Sequence, residues 1–235
     1  MKLIVSNWKM NGTLKQINEY FETFLSNFKS SQNHIIFSLP YIFLHYLVEK
    51  VKKYKIDIFA QNCHFEDEGA FTGEISAKML SSIGVKGSIV GHFERRQFGE
   101  NYQLVNKKVR SLINNNLIPI ICIGETSEEK SKRNMILNSQ ISESLNGISN
   151  NKNIIIAYEP IWAIGKKESM NVDIINDSIN IIREKCLKLN FENIKIIYGG
   201  SVSKNNITEI LSCENVDGVL IGRASLDPNF IVSIA

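Results

Sequence analysis

Apolar positions along the chain fall into two kinds of segment that take turns. Short continuous runs rich in β-branched residues recur at LIVSNW (3–8), HIIFSL (34–39), IDIFAQN (56–62) and GSIVG (87–91). The series continues with LIPIICIG (117–124), NIIIAYE (153–159), IKIIYGG (194–200) and VDGVLIG (216–222). Unbroken apolar character, without alternation, is what parallel strands covered on both faces show. Helical patterns lie between these runs. TLKQINEYFETFLSNF (13–28) opens on Thr13, an N-cap candidate, and repeats its apolar residues at spacings of three and four. VDIINDSINIIREKCLKL (172–189) does the same around Ile174, Ile175, Ile179, Ile182 and Leu187.

Strand starts recur at roughly 30 residues, the length of one βαβ unit. No Pro/Gly/Ser-rich linker or compositional break divides the chain, so the pattern predicts one domain over residues 1–235. Eight such units predict an α/β fold of the closed (β/α)8 type. A doubly wound nucleotide-binding sheet would carry a G-x-G-x-x-G turn after the first strand, and SNWKMNG (6–12) is not one.

In a (β/α)8 barrel, chemistry sits at the carboxyl ends of the strands. The first strand ends with Asn7 and Lys9, the third with Gln61 and Asn62, the fourth runs into His92, and the sixth ends at Glu159. The seventh and eighth end in glycine, at YGGSV (198–202) and IGRAS (221–225). Glycine lets backbone N–H groups approach an anion closely, and a phosphate site between strands seven and eight recurs in this barrel. A small phosphorylated ligand is expected there, with Glu159 placed to move a proton. Each residue has a plainer reading. Glu159 could pair with an arginine to fix a loop, His92 could be a satisfied core histidine, and Lys9 could be solvated. Cys122 reads as a small buried packing residue. Only the joint placement on one rim outweighs these.

Composition narrows the partners. With 27 basic and 24 acidic residues the net charge is only +3, with no dense Lys/Arg block. Neither nucleic acid nor a membrane surface is favoured as a partner. The N-terminal stretch MKLIVSNWKMNG is too short in apolar residues for a signal peptide, and no run reaches the length of a membrane span. Cys63, Cys122, Cys186 and Cys213 are scattered, without C-x-x-C or histidine at metal-ligand spacing, which predicts reduced thiols in a cytoplasmic protein and no metal.

The motifs NWKMNG (7–12), GAFTGE (69–74), GHFERR (91–96), CIGE (122–125), AYEPIWAIG (157–165), YGGSV and DGVLIGRASL (217–226) together resemble the triosephosphate isomerase family, in order and over nearly the whole chain. The resemblance implies the (β/α)8 or TIM barrel and a cofactor-free isomerase of triose phosphates. It implies that Glu159 is the carbon base, that His92 polarises the carbonyl, and that Lys9 supplies positive charge. Asn7 would hydrogen-bond near the oxyanion. Gly165, Ser201, Gly222 and Arg223 would line the phosphate site, and Glu94 and Arg95 would support the constellation. Desolvation at the end of an apolar strand is expected to raise the basicity of Glu159. Pro160, Ile161 and Trp162 would begin a closing loop, with Ile164 an apolar cap. The loop 63–74, with Phe71 and Thr72 near its tip, would insert into a second subunit and make a homodimer.

Three departures stand out. Phe93 follows the histidine where a serine is usual, KKESM (166–170) replaces the usual second half of the mobile loop, and Arg223 takes the place of a glycine. The backbone of Arg223 is expected to serve the phosphate while its guanidinium is solvated or paired. Two other readings remain: another phosphosugar isomerase on the same barrel, and an idle barrel that binds phosphometabolites or a protein partner.

Overall fold

The structure is a computed structural model and describes residues 1–150, 152–164 and 171–235. Eight strands form it: β1 (Leu3–Asn7), β2 (His34–Leu39), β3 (Ile56–Ala60), β4 (Gly87–Val90), β5 (Ile118–Ile123), β6 (Ile155–Tyr158), β7 (Lys195–Tyr198) and β8 (Gly218–Ile221). They pair in sequence order into a closed parallel barrel, β8 returning to β1 through the register Leu3↔Gly218 to Ser6↔Ile221. The helices α1 (Leu14–Asn27), α2 (Leu44–Val51), α3 (Ala77–Ser82), α4 (Phe93–Arg96), α5 (Tyr102–Asn114), α6 (Arg133–Leu145), α7 (Val172–Lys188), α8 (Ile207–Ser212) and α9 (Pro228–Ser233) lie between and after them. Among the described residues, no helix is long and apolar enough to cross a membrane.

Both faces of each strand are covered, as the unbroken apolar runs predict. Val5, Ile36, Phe59, Ile89, Ile120, Cys122, Ile155, Ala157, Ile197 and Leu220 fill the barrel interior as one cluster. Their neighbours in sequence, such as Ile4, Ile35, Ile58, Ile121, Ile156 and Ile196, point outward and pack under the helices. The predicted helix over 13–28 is α1, capped by Thr13, whose side chain and that of Gln16 form a reciprocal capping box. The helix over 172–189 is α7, but its buried stripe differs from the predicted one. Ile175, Ser178, Ile179, Ile182 and Cys186 face the barrel, whereas Ile174 and Leu187 are exposed. Two small residues occupy the seam where the helix lies close to the sheet.

The strands stop short of the runs that predict them. Gln61, Glu159, Gly199, Gly200 and Gly222 all lie just past the last residue of β3, β6, β7 and β8. Once released from the ladder, these residues turn over the barrel mouth, and this makes them available to a ligand. Barrel closure itself has a narrow requirement. A Cβ at Gly218 would lie 2.1 Å from the carbonyl oxygen of Leu3, so any side chain there pushes β8 off β1. Gly218→Ala is therefore expected to lower the urea midpoint by an amount equivalent to about 2 kcal/mol or more, with an unchanged m-value. A midpoint within error of the parent would show that the β1–β8 seam accommodates a methyl group.

Candidate active site

A cavity of about 670 Å³ opens at the carboxyl ends of the strands, and Asn7, Lys9, His92, Glu94, Glu159, Ser201, Gly222 and Arg223 all line it. Glu159 follows β6 and is 1% exposed. Two glycines make room for it. A Cβ at Gly124 would lie 1.9 Å from the Glu159 carbonyl oxygen, and one at Gly199 would lie 2.8 Å from its Cγ. A buried carboxylate needs a partner. Here His92 Nε2 lies 3.3 Å from Glu159 Oε1, and the buried Cys122 thiol helps to stabilise the charged carboxylate. The other oxygen, Oε2, is buried without a hydrogen bond.

His92 leaves β4 and caps α4, its Nδ1 accepting the N–H of Glu94 at 3.4 Å. An Nδ1 that accepts leaves the ring proton on Nε2, aimed at Glu159. Burial alone pushes the Glu159 carboxyl up. The imidazole of His92, the Cys122 thiol and the more distant Arg96 guanidinium together outweigh burial and hold it below its ordinary value. The expectation that desolvation raises its basicity therefore does not describe the ligand-free site, because the neighbours that pair the charge were not legible in the strand. Burial, and then the Glu159 charge, raise the Cys122 thiol well above its ordinary value, so it stays a protonated donor. The packing reading of Cys122 is borne out by its full burial in the barrel-interior cluster, and its thiol also stabilises the Glu159 charge. Its signal was positional: Cys122 faces the barrel interior and pairs in register with Ala157, two residues before Glu159.

Phe93 occupies the position where a hydroxyl is usual, and its ring lies 4.9 Å from that of His92. The Lys9 ammonium sits 5.1 Å above the Phe93 ring, a cation–π distance. An aromatic face thus supports both groups, and Glu159 rests on His92. Lys9 has φ +53°, an uncommon conformation for a side chain as long as lysine. Three contacts over-determine it: its N–H donates to Asn7 Oδ1 at 3.0 Å, its carbonyl accepts from Gln61 Nε2 at 2.9 Å, and its Nζ pairs with Glu94 Oε1 at 2.7 Å. Gln61 was legible only as an amide at a strand end. Its role as a brace for the loop of Asn7 and Lys9 emerges from the barrel geometry.

Arg95, expected to support the constellation and not to line the cavity, lies 3.6 Å from Glu100, which pairs at 2.6 Å with the buried Lys108. Arg223 is exposed on the cavity wall and makes no ion pair or hydrogen bond among the described residues, so its guanidinium is solvated. Ser201 has φ +23°, and its hydroxyl donates to the carbonyl of Ala163. Gly165 and residues 166–170 lie outside the described residues. The start of that loop is tied down: Trp162 Nε1 and the Tyr158 hydroxyl both donate to Glu125 Oε1, at 2.9 and 3.1 Å. Glu125, fully buried, is a residue the sequence reading passed over within CIGE. Among the described residues, no group of three or more His, Cys, Asp or Glu side chains is placed to hold a metal ion.

A buried carboxylate facing an imidazole at the mouth of a closed parallel barrel is the arrangement of barrel enzymes that act by acid–base chemistry on small polar ligands. Comparison with known proteins narrows the class. The family model described as triosephosphate isomerase matches residues 2–235. A triosephosphate isomerase of Mycoplasma capricolum subsp. capricolum is 44% identical over 237 residues, covering 97% of this chain and 95% of the relative. Triosephosphate isomerases of Prochlorococcus marinus (strain MIT 9301) and Trichodesmium erythraeum are 38% and 39% identical, covering 99% and 96% of this chain and 97% and 94% of the relatives. The chain belongs to the triosephosphate isomerase family.

The pairing of Glu159 has a measurable consequence. In the ligand-free protein its carboxyl is expected to titrate below the ordinary 4.5, staying ionised throughout the neutral range. Carboxyl ¹³C chemical shifts, assigned with Glu159→Gln, measure this. Cys122→Ala, which removes one donor to the ionised form, should move the midpoint upward. A midpoint above 4.5 in the parent protein would mean that burial outweighs the three neighbours.

Proposed function

We propose that the chain interconverts dihydroxyacetone phosphate and D-glyceraldehyde 3-phosphate by proton transfer through an enediolate. The observation that carries this reading is the 3.3 Å approach of His92 Nε2 to Glu159 Oε1 inside the cavity that Lys9, Ser201 and Gly222 also line. On this reading the substrate enters between the two groups. Glu159 then takes the proton from the carbon beside the carbonyl and returns it to the neighbouring carbon, while the Nε2–H of His92 donates to the oxygen that gains charge. Displacing His92 removes the largest stabiliser of the ionised carboxylate, and exclusion of water by the bound ligand favours the neutral acid further. Both changes raise the basicity of Glu159 when a carbon acid is present. The resting pair keeps the base charged, and substrate binding makes it strong.

Lys9 lines the same cavity. Its ammonium would leave Glu94 to neutralise substrate charge, and Asn7, whose Oδ1 is engaged by the Lys9 N–H, would offer its amide N–H₂ to the oxyanion. Ser201, Gly222 and Gly165 would receive the phosphate. Glu94 acts through Lys9 and through the backbone N–H it gives to His92. The reaction places the chain in glycolysis and gluconeogenesis, and its four free, buried cysteines suit a reducing, cytoplasmic location.

The surface favours a homodimer. The loop after β3 is closed at its base by the His64 N–H to Ile75 carbonyl bond of 2.7 Å, and residues 66–74 are exposed throughout. The Phe71 ring stacks on His64 at 4.2 Å, which fixes the loop's shape in the single subunit. Met10, Ile42, Phe71 and Phe98 are all exposed and follow β1, β2, β3 and β4, so they stand on the same half of the rim. Such a gathering marks an interface.

A coupled assay of triose phosphate interconversion tests the main reading, and absence of turnover in the folded protein would return it to an idle barrel. Glu159→Gln is expected to lower kcat by about 10⁴-fold or more with the fold retained, since it removes the sole carbon base. Retention of a tenth of parental activity would take Glu159 out of that role. For the dimer, Thr72→Arg is expected to shift sedimentation to the monomer and to lower turnover strongly. A monomeric variant with full turnover would show that the loop is merely an exposed acidic surface.

A further inference from the structure

We propose that the outer wall of the active-site cavity is a second anion subsite, built on Arg223 and Ser203, that lets the pocket accept a diphosphate. Inorganic pyrophosphate is the simplest member of that class. The proposal rests on the phosphate reading of Ser201 and Gly222 given above and extends it outward. The cavity, at about 670 Å³, has the size of pockets that enclose drug-sized ligands, well beyond what a three-carbon phosphate fills. Its wall therefore holds groups that the substrate leaves unused.

Two of those groups are donors without partners. Arg223 is exposed on the cavity wall and makes no hydrogen bond or ion pair among the described residues. The Ser203 hydroxyl lines the same cavity and is also without a hydrogen-bond partner among the described residues. Among the described residues, the only other lysine or arginine lining the cavity is Lys9, and it is matched by Glu94 at 2.7 Å. Arg223 is thus the described cavity cation without an ion-pair partner. The residue between the two cations is Gly222, where a Cβ would meet only Lys9 Cε, at 3.7 Å, so the backbone stays open to a ligand. A phosphoryl group lying on that backbone has the guanidinium of the next residue beside it. A guanidinium presents a planar fork of donors that fits phosphate oxygens two at a time. Joined through a bridging oxygen, a second phosphoryl group would extend beyond the first and bring further oxygens within reach of Arg223 and Ser203, which line the same cavity.

Competitive inhibition of the isomerase by inorganic phosphate and by pyrophosphate, without divalent metal and at matched ionic strength, tests this. In the parent protein pyrophosphate is expected to bind about tenfold more tightly than phosphate, a difference of ~1.4 kcal/mol. Arg223→Gln should reduce that ratio to about threefold or less, and Arg223→Lys, a cation without the fork, should fall between. Because Arg223 is exposed and unpaired, thermal melts of the variants should match the parent. If phosphate competes but pyrophosphate binds no better, the subsite is wrong while the phosphate reading stands. A preference unchanged by Arg223→Gln overturns the subsite equally. If neither anion competes with substrate, the phosphate reading fails and takes the subsite with it.

Discussion

A carboxylate that is 1% exposed at the end of an apolar strand has to be paired, and much of the barrel mouth follows from that requirement at Glu159. Its partner is the Nε2 of His92, at 3.3 Å. For that nitrogen to carry the proton, Nδ1 must accept one from elsewhere, and the N–H of Glu94 at the start of α4 provides it. The turn that brings this N–H round also sets Glu94 against Lys9, whose ammonium it holds at 2.7 Å. Lys9 in turn adopts φ +53° only because Asn7 and Gln61 brace its backbone. One buried charge is thus tied, contact by contact, to the ends of β1, β3, β4 and β6. Gly124 and Gly199 are the complementary condition, since a methyl group at either would occupy space that Glu159 needs.

The fold was readable almost completely, because burial on both faces makes a parallel strand apolar throughout and eight such runs have few ways to assemble. That same feature hid part of the site. A continuous apolar run does not say which residues point into the barrel, so Cys122 read as packing alone until the register placed it opposite Ala157. Glu125 was similarly hidden, being a carboxylate whose partners, Tyr158 and Trp162, come from the next strand and loop. The residues that were legible, Glu159, His92, Lys9 and Asn7, are polar groups set at the ends of apolar runs, where no packing argument accounts for them. Arg95 stands beside Glu94 in sequence, and the helical turn directs it to Glu100, outside the cavity, as suits a supporting residue.

Phe93 shows how a departure can be absorbed without loss of the arrangement. A serine hydroxyl at that position would offer Glu159 a neutral donor, whereas the phenyl ring offers none. The ring instead lies against His92 and beneath the Lys9 ammonium, at 4.9 and 5.1 Å. The carboxylate rests on the imidazole at 3.3 Å. On the proposed reaction a bound ligand therefore has to separate these two groups before either can act. Separation has an energetic consequence in each direction. It costs the free protein a buried charge-assisted hydrogen bond, of about 1.5–3 kcal/mol in general. It also releases the carboxylate from the neighbour that most weakens it as a base. Ground-state pairing of this kind keeps Glu159 ionised while the site is empty. On the proposed reaction its full basicity would develop only when a substrate oxygen takes over the interaction with His92, which would couple strong base character to the presence of a carbon acid.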